Sequence, residues 1–298
     1  MLRNKFRAPE KTKMRTCFGH TPVFYRFPAL ICLVCCCIMT ALPISVCIIS
    51  GAEAARIGRA LESVAGWTSE TVLVLNEEVR DGTEEIARAQ GAKVIRAPWR
   101  GHIAQKNFAA RQATQEWILG LDADEEVSPE LRQEIHTLFA SREMLEPFTA
   151  FSFPRLTRFC GRWIRHGDWY PDRGTRLWRR GQAQWGGVNP HDELIVPGAV
   201  GKLRTPLRHY NAIAIDDQIA KIASYSSDFI RGAQERQKSA TWWDLAFRPG
   251  WRFMRAYFLR LGFLDGWQGY YIAWMTAFYT VTRYAKLRAA NQVREDAA

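Results

Sequence analysis

The body of this sequence has little cysteine. Five of the seven cysteines lie within the first 37 residues, and only Cys47 and Cys160 follow. A secreted, disulfide-stabilised protein distributes its cysteine pairs through the fold, so this distribution favours a reducing compartment. Cys32 and Cys35 have CxxC spacing, but they stand in an apolar run without a second pair or a histidine. They therefore do not predict a metal or redox site.

The sequence also lacks an apolar run of the length typical of a membrane-spanning helix. Its apolar stretch at 27–42 has 16 residues, whereas about 20 are needed to cross a bilayer. Three interpretations of residues 1–42 stay open: a membrane anchor, a cleaved signal peptide, or an extension from a start codon upstream of Met39. We treat 1–42 as an N-terminal basic and apolar extension and leave it out of the fold prediction.

Acidic residues are outnumbered, and the imbalance lies at the two ends of the chain. The formal net charge is +11, of which residues 1–26 carry +6 and residues 231–288 carry +7, while the remainder sums to −2. The 47% hydrophobic and 24% charged content is ordinary for globular proteins and excludes extensive disorder, collagen-like repeats and a polytopic membrane protein. We expect a near-neutral catalytic core with surface-seeking flanks.

Strand and helix patterns alternate between residues 44 and 140. Continuous apolar runs predict strands at 44–49, 71–75, 93–95 and 117–121. Between and after these strands, four segments show helical signals. Apolar residues recur at helical spacing at Ile57, Leu61 and Val64 and again over 103–113, and Asp81 followed by Glu84 three residues later is typical of a helix start. Ser128-Pro129 is a second helix start, and Leu131, Ile135 and Leu138 follow it on one face. This alternation predicts an α/β fold, with a mostly parallel sheet and helices on both faces.

The later parts of the chain predict two further regions. Residues 150–210 read as short strands with Gly, Pro and Asp turns, and helical spacing returns from Ile215. We therefore divide the chain into the extension (1–42), a catalytic domain (43–214) and C-terminal amphipathic helices (215–298). No internal repeat or low-complexity tract is evident.

Asp122 and Asp124 are the sharpest chemical feature of the sequence. They follow the predicted fourth strand, and ligands of such sheets bind at the carboxyl ends of the strands. Carboxylates with phosphate oxygens and water are the ligands that hard divalent cations prefer, and a diphosphate leaving group needs such a cation. Asp-x-Asp alone is a weak motif, since a solvated acidic turn or a helix cap has the same pattern.

Between Pro43 and Tyr284 the chain resembles glycosyltransferase family 2, the inverting enzymes of GT-A fold. It is most similar to the branch that builds the lipopolysaccharide core, described as glucosyl- or heptosyltransferase-like. The matching segments are 44–49, Asp81-Gly82-Thr83, 91–94, 105–109, 117–125, 169–173, 176–180, Pro190-His191-Asp192, 207–210 and 262–266.

The resemblance implies roles for several of these residues. Asp124 ligates a Mg²⁺ or Mn²⁺ ion, Asp122 faces the ribose or the metal, and His209 completes the metal site. Asp192 stands where the family has its catalytic base, with Glu193 as the alternative. The residues expected to contact the nucleotide sugar are Ser50, Glu53, Asn76, Asp81, Lys106, Asn107, Asp122, Arg176 and Arg179.

Two positions depart from the family pattern. The first strand is followed by Gly51-Ala52-Glu53 instead of Lys-Asn-Glu, and the second ends in Asn76 instead of Asp. We expect Lys106 to replace part of the missing charge beside the diphosphate. Asn76 keeps an acceptor oxygen and adds a donor, so recognition of the base either survives or changes.

Residues 241–288 combine aromatic and basic side chains. Five tryptophans fall between Trp242 and Trp274, with arginines among them. This composition suits an anionic membrane interface, while single-stranded nucleic acid and simple packing are the alternatives. A lipid-linked acceptor favours the membrane, so we expect peripheral association with the inner membrane at its cytoplasmic face and no nucleic-acid partner.

Together these observations predict an inverting, metal-dependent glycosyltransferase. It moves a sugar, glucose or a related hexose, from a nucleotide-diphosphate donor to a lipopolysaccharide core or similar envelope glycolipid. The alternatives are a polyprenyl-phosphate sugar synthase of the same fold, and a non-catalytic membrane- or nucleic-acid-binding module. Gly51 and Asn76 are the residues that keep the last alternative open.

Overall fold

The apolar runs of the sequence become the strands of one large sheet. The computed structural model describes residues 41–188, 191–210, 215–236 and 238–296, all of which belong to the compact unit 39–298. The N-terminal extension, for which three interpretations stay open, therefore lies outside the described residues except for Ala41 and Leu42. The strands are β1 (Leu42–Ser50), β2 (Thr68–Asn76), β3 (Lys93–Ala97), β4 (Trp117–Asp122), β5 (Glu125–Glu126), β6 (Ala150–Phe159), β7 (Arg162–Trp163), β8 (Asp172–Arg179), β9 (Gln184–Val188), β10 (His191–Ile195), β11 (Val200–Lys202) and β12 (Leu207–His209).

Helices connect the parallel strands and then form the C-terminal part. They are α1 (Ile57–Val64), α2 (Thr83–Ala89), α3 (His102–Gln112), α4 (Pro129–Ala140), α5 (Arg142–Leu145), α6 (Ile215–Glu235), α7 (Trp242–Met254) and α8 (Gly266–Asp296). A π-helical turn, Arg255–Leu259, extends α7, and 3₁₀ turns occupy Gly167–Trp169 and Gly262–Asp265.

The sheet has the strand order β3-β2-β1-β4-β8-β6-β12-β5. Strands β3, β2, β1 and β4 are mutually parallel, whereas β8 runs antiparallel to β4 and β6. Strands β9 and β10 form a separate antiparallel hairpin. The predicted α/β class, with its mostly parallel GT-A sheet and C-terminal helices, is confirmed.

Both faces of the sheet are covered, which explains the continuous apolar runs. Successive side chains of a strand point to opposite faces. In β1, Ile44, Val46 and Ile48 join a core with α1 and α4, while Cys47 and Ile49 join a second core with α3. Burial raises the pKa of the Cys47 thiol to about 12, so this cysteine is a packing residue.

The predicted capping residues are confirmed at the start of α4 and only partly confirmed at the start of α2. Ser128 accepts a hydrogen bond from the N–H of Leu131 at 3.2 Å, with Pro129 opening the helix. Before α2, Asp81 accepts from the N–H and hydroxyl of Thr83. The predicted reciprocal contact from Glu84 is absent, because that carboxylate pairs with Arg88 and Arg96 instead.

A buried aspartate joins the C-terminal helices to the catalytic sheet. Asp265, 3% exposed, accepts hydrogen bonds from the backbone N–H groups of Arg165 (3.0 Å) and His166 (2.8 Å). Its other oxygen lies 3.2 Å from Nδ1 of His166. Gly167 adds a backbone hydrogen bond to the carbonyl of Arg260 at 2.9 Å. These contacts fix the loop that precedes β8 against the helical part.

Across the described ranges, no helix is both long and apolar enough to span a bilayer.

We predict that Asp265→Ala lowers the free energy of unfolding by about 2–4 kcal/mol, because two buried N–H groups lose their acceptor. Urea denaturation followed by circular dichroism measures the change. The matched control is Asp216→Ala on an exposed position of α6, which we expect to change stability by no more than about 0.5 kcal/mol. Equal stability of the two variants would contradict the proposed joining role.

Candidate functional site

Two clefts meet at the carboxyl ends of β1 and β4. The larger has a volume of about 480 Å³ and the smaller about 320 Å³. Lys106, Asp122 and Asp192 line both, so the clefts share one polar wall. The larger is further bordered by Phe153, Arg155, Asp172, Arg173, Gly174, Thr175, Arg176, Trp185, Glu193, Leu194 and Leu207. The smaller is further bordered by Ile49, Ser50, Gly51, Glu53, Trp99, His102, Ala123 and Asp124.

Asp122, the last residue of β4, lies between two cations. Its Oδ1 is 3.1 Å from Nζ of Lys106, and its Oδ2 is 2.9 Å from Nη2 of Arg176. Burial acts to raise the pKa of Asp122, but the charges of Arg176 and Lys106 together outweigh it and hold this pKa well below its usual range. The carboxylate is therefore fixed in its ionised form.

Glu125 is a fully buried second partner of Arg176. Its Oε1 lies 3.2 Å from Nη2 of Arg176, and its Oε2 accepts the backbone N–H of Asp122 at 3.0 Å. Burial raises the pKa of Glu125, against the opposing charge of Arg176. Burial acts to lower the pKa of Arg176, but Asp122 and Glu125 raise it overall, so the guanidinium keeps its charge.

Lys106, on α3, joins the two carboxylates across the junction of the clefts. Its Nζ lies 2.8 Å from Oδ2 of Asp192, in addition to its contact with Asp122. The ammonium also stands 4.5 Å from the ring centroid of Trp185, a cation–π distance. Lys106 thus brings a positive charge to the ends of the strands, where both carboxylates pair with it.

Asn107 holds the β9–β10 hairpin against α3. Its Oδ1 accepts the backbone N–H of Trp185 at 2.9 Å, and its Nδ2 donates to the carbonyl of Trp185 at 2.8 Å. The oxygen and the nitrogen of the Asn107 amide are thus both hydrogen-bonded to the backbone of Trp185, on the strand that pairs with the one carrying Asp192.

The two base candidates differ in exposure. The side chain of Asp192 is 15% exposed and paired with Lys106, whereas neighbouring Glu193 is exposed. Both border the larger cleft. Asp192 alone of the two also borders the smaller cleft.

Asp124 and His209 form a second polar pair. Strand β12 lies antiparallel to β5, and the N–H of Tyr210 donates to the carbonyl of Asp124 at 2.8 Å. This brings Nε2 of His209 to 3.3 Å from Oδ2 of Asp124, while Nδ1 lies 3.3 Å from the hydroxyl of Thr157.

The geometry of the Asp124–His209 pair fits a divalent metal, whereas two cations engage the carboxylate of Asp122, the expected third ligand. Two ligands that bind one ion at about 2.1 Å and at right angles lie about 3.0 Å apart, close to the Asp124–His209 separation. Asp122 instead faces Lys106 and Arg176. In the part of the chain that the structure describes, no three Asp, Glu, His or Cys side chains gather into a metal cluster. Phosphate oxygens and water would have to complete the coordination.

The loop after β1 is supported from α2. The N–H of Glu53 donates to the hydroxyl of Thr83, and that of Ala54 to Asp81, both at 3.0 Å. Ser50 is buried and donates to the carbonyl of Gly51 at 2.9 Å. Asp81 therefore stabilises this loop and does not itself line either cleft.

Glu53 faces the smaller cleft beside Asp124. Its carboxylate lies 2.6 Å from Nε of Arg56. Burial raises the pKa of Glu53, Arg56 opposes this, and the nearby charges of Asp124 and Asp81 add to the increase. A cation bound beside Asp124 would instead lower the pKa of Glu53.

Of the expected nucleotide contacts, Asn76 and Arg179 lie outside both clefts, as do Asp81 and Asn107. Asn76 ends β2 with its Oδ1 3.4 Å from the N–H of Glu78, and it is not among the described residues that line either cleft. Arg179 pairs in the sheet with Trp117, at the opposite end of β4 from Asp122, and its Nη1 lies 2.5 Å from Glu116. Because β8 is antiparallel to β4, Arg179 is directed away from the site while Arg176, about 10 Å along the strand, reaches it.

Sequence reasoning missed Trp185 and Glu125. Trp185 lies beneath Lys106 and Arg176, and its ring packs edge-on to Trp178 at 6.0 Å. The sequence feature that could have indicated Trp185 is its position on the strand that precedes Asp192. Glu125 adjoins the Asp-x-Asp motif, but its buried contact with Arg176 depends on the β8 register, which residue spacing does not give.

Comparisons with known proteins agree on one family. The family model for Glycosyl transferase family 2 matches residues 45–143. An uncharacterized glycosyltransferase of Rickettsia prowazekii (strain Madrid E) is 32% identical over 260 residues, covering 82% of this chain and 86% of that protein. The lipopolysaccharide core biosynthesis glycosyltransferase LpsC of Rhizobium meliloti (strain 1021) is 28% identical over 258 residues, covering 82% of this chain and 94% of that protein.

Solved structures give a weaker likeness. The mannosyltransferase PcManGT from Pyrobaculum calidifontis, in complex with GDP-Man and Mn²⁺, superposes with a TM-score of 0.44 at 16% identity, over 86% of this chain and 79% of that chain.

We predict that Asp122→Asn destabilises the protein by about 1–3 kcal/mol at pH 7, because Lys106 and Arg176 lose their shared counter-ion. The folded-state pKa of Asp122 is depressed, so its contribution is fully present above the unfolded-chain value near 4 and is lost as the pH falls below it. The stability difference between wild type and variant should therefore shrink on acidification. Denaturant titrations across this range measure it.

The control is Asp172→Asn. Asp172 is a half-exposed partner of Arg155, and we expect its loss to cost less than about 1 kcal/mol. A stability difference for Asp122→Asn that does not depend on pH would contradict the depressed pKa.

Proposed function

This chain belongs to glycosyltransferase family 2, and on that premise we propose that it transfers glucose or a related hexose from a nucleotide-diphosphate sugar to a lipopolysaccharide core or similar envelope glycolipid. The single observation that carries the proposal is the junction of two clefts at Asp122, Lys106 and Asp192. A transferase needs adjoining places for donor and acceptor, with a proton acceptor between them.

The smaller cleft is the place for the donor. It lies at the carboxyl ends of β1 and β4, where α/β sheets bind nucleotides. Ser50, Glu53 and residues 122–124 are among the residues that border it. Lys106, which also lines this cleft, supplies positive charge where the diphosphate would lie, while Arg176 contacts the other oxygen of Asp122 from the larger cleft.

Asp124 and His209 would hold the divalent cation. Their 3.3 Å separation suits two adjacent ligands, and a carboxylate with an imidazole suits Mn²⁺ or Mg²⁺, the histidine favouring Mn²⁺. A bound ion supplies positive charge to the leaving diphosphate.

Asp192 is the proposed base of a single displacement. The acceptor hydroxyl gives its proton to the Asp192 carboxylate, its oxygen forms a bond to the anomeric carbon, and the bond from that carbon to the diphosphate breaks. Attack from the face opposite the diphosphate inverts the anomeric centre. Lys106, 2.8 Å from Asp192, orients the carboxylate toward the junction of the clefts.

The larger cleft is the place for the acceptor. Its wall carries Arg155, Asp172 and Arg173. Guanidinium groups beside a carboxylate suit the hydroxyl and phosphate groups of a glycolipid. The similarity to LpsC supports the choice of a lipopolysaccharide core over other acceptors.

We also propose peripheral association with the cytoplasmic face of the inner membrane. The C-terminal helices expose large aromatic side chains, among them Trp242 (70%), Trp243 (67%) and Trp251 (58%). Exposed aromatic rings beside arginines suit the headgroup region of an anionic bilayer. A lipid-linked acceptor would be reached from this position.

Asp124→Ala should lower metal-dependent transfer by about 10²-fold or more while the fold is retained, because the cation loses its carboxylate ligand. Radiolabelled nucleotide-sugar assays with Mn²⁺ measure it, with purified lipid A–core and polyprenyl phosphate offered as separate acceptors. Asp216→Ala is the control for loss of one acidic residue. Near-normal turnover of Asp124→Ala would contradict the metal assignment, and transfer to polyprenyl phosphate alone would contradict the acceptor class.

Asp192→Asn should still bind the donor but lose transfer by about 10²–10⁴-fold, because an amide cannot accept the hydroxyl proton. Calorimetric donor binding and the transfer assay together separate the two effects. Glu193→Gln is the matched control and should retain most activity. The opposite pattern would assign the base to Glu193.

A further inference from the structure

Three arginines converge on one buried aspartate at the edge of the exposed aromatic surface. Asp168, in the Gly167–Trp169 turn, has a side chain only 8% exposed. Its Oδ2 lies 3.2 Å from Nη2 of Arg252, and its Oδ1 lies 3.5 Å from Nη1 of Arg255 and 3.1 Å from Nη1 of Arg260. The aspartate is part of neither cleft.

The π-helical turn produces this convergence. The N–H of Arg260 donates to the carbonyl of Arg255 at 2.8 Å, which places these residues five apart on one side of the turn. Arg252 lies one turn earlier on the same side. An ordinary α-helical turn would not align Arg255 with Arg260, and such π-helical turns frequently occur at functional sites.

The cluster carries more positive charge than its single counter-ion balances. Among the ion pairs of the described residues, Asp168 is the sole carboxylate that contacts these three guanidinium groups. Nε of Arg252 is buried and has no hydrogen-bond partner there. The arginine side chains stay between 30% and 43% exposed, so an anion from solvent can reach them. A phosphate matches several guanidinium donors at once.

The surroundings of the cluster indicate a lipid. Apolar residues next to the arginines in the chain are about half exposed or more: Trp251 (58%), Met254 (47%), Phe258 (47%) and Leu259 (64%). Exposed apolar groups of this size, flanked by arginines, match a bilayer surface, with acyl chains below and phosphates at the level of the guanidinium groups.

We propose that Arg252, Arg255 and Arg260, organised by Asp168, bind the phosphate of an anionic phospholipid headgroup. The inference deepens the proposed membrane association and rests on that part of the proposed function. The bound phosphate fixes the orientation of the enzyme at the surface. Asp168 precedes Asp172 at the wall of the larger cleft by four residues, so the two Cα atoms are at most about 14 Å apart. Lipid binding here would place the acceptor cleft close to the headgroups.

Vesicle sedimentation of the full-length protein tests the proposal. The vesicles contain phosphatidylcholine alone, or phosphatidylcholine with phosphatidylglycerol, or phosphatidylcholine with oleate at the same surface charge. We expect Arg255→Gln/Arg260→Gln to weaken partitioning to phosphatidylglycerol vesicles by about tenfold or more relative to wild type. Binding to phosphatidylcholine alone, which reports any contribution of the N-terminal apolar stretch, should be equal for both proteins.

Two controls distinguish a phosphate site from general charge. Arg111→Gln/Arg142→Gln removes the same charge from exposed positions on α3 and α5 and should weaken binding less than about twofold. Arg255→Lys/Arg260→Lys keeps the charge but loses the guanidinium donors, so we expect binding between that of wild type and that of the glutamine variant; binding regained over the glutamine variant excludes misfolding as the cause of the loss. Melting temperatures of all variants are recorded alongside.

Three results would overturn the proposal: equal loss in the two glutamine variants, oleate vesicles binding as well as phosphatidylglycerol vesicles, or a lipid-free dimer that the Arg255→Gln/Arg260→Gln change dissociates. The last would assign the surface to a second copy of the chain. Donor binding by the wild-type protein is measured separately without lipid. A failure of transferase function is thereby distinguished from a failure of the phosphate site.

Discussion

The ion pairs of Lys106 are the interaction on which the site depends. One ammonium, above the ring of Trp185, contacts Asp122 from the parallel sheet and Asp192 from the separate β9–β10 hairpin. It thereby joins the two parts of the wall between the larger and the smaller cleft. The surrounding charges are balanced locally, since Arg176 pairs with both Asp122 and Glu125. Such a low-dielectric network is stable only when each member keeps its partner, which makes the geometry of the junction well defined.

The parallel half of the fold could be predicted from residue patterns. Continuous apolar runs identified β1 to β4, and the carboxyl ends of those strands correctly located Asp122 and Asp124. Contacts that depend on antiparallel register could not be predicted. Lys106 and Asp192 are 86 residues apart, and nothing in their spacing indicates a 2.8 Å contact. Arg176 and Arg179 are the same residue type three positions apart, so the sequence does not distinguish them. The pairing of β8 with β4 places Arg176 in the site and Arg179 beside Glu116.

The C-terminal helices are tied to the catalytic part through buried carboxylates. Asp265 holds the backbone of Arg165 and His166, while Asp168, two residues further, gathers arginines from α7 and the π-helical turn. The loop between these contacts leads directly into β8, which supplies Arg176 to the site. A surface suited to lipid and a site suited to sugar transfer are therefore connected through one short segment. The positive charge of the chain lies in this C-terminal part and in the first 26 residues, while the catalytic core is near neutral. A basic C-terminal part suits an anionic lipid surface.

The central claim is a direct, single displacement at the junction of the two clefts. The most direct measurement is the anomeric configuration of the first-formed product, determined by proton NMR during transfer from an α-linked nucleotide sugar. The account predicts a β-linked product, because the acceptor oxygen beside Asp192 attacks opposite the leaving diphosphate. An α-linked product would contradict it, since retention requires a different arrangement of reacting groups from the one built around Asp192 and Lys106.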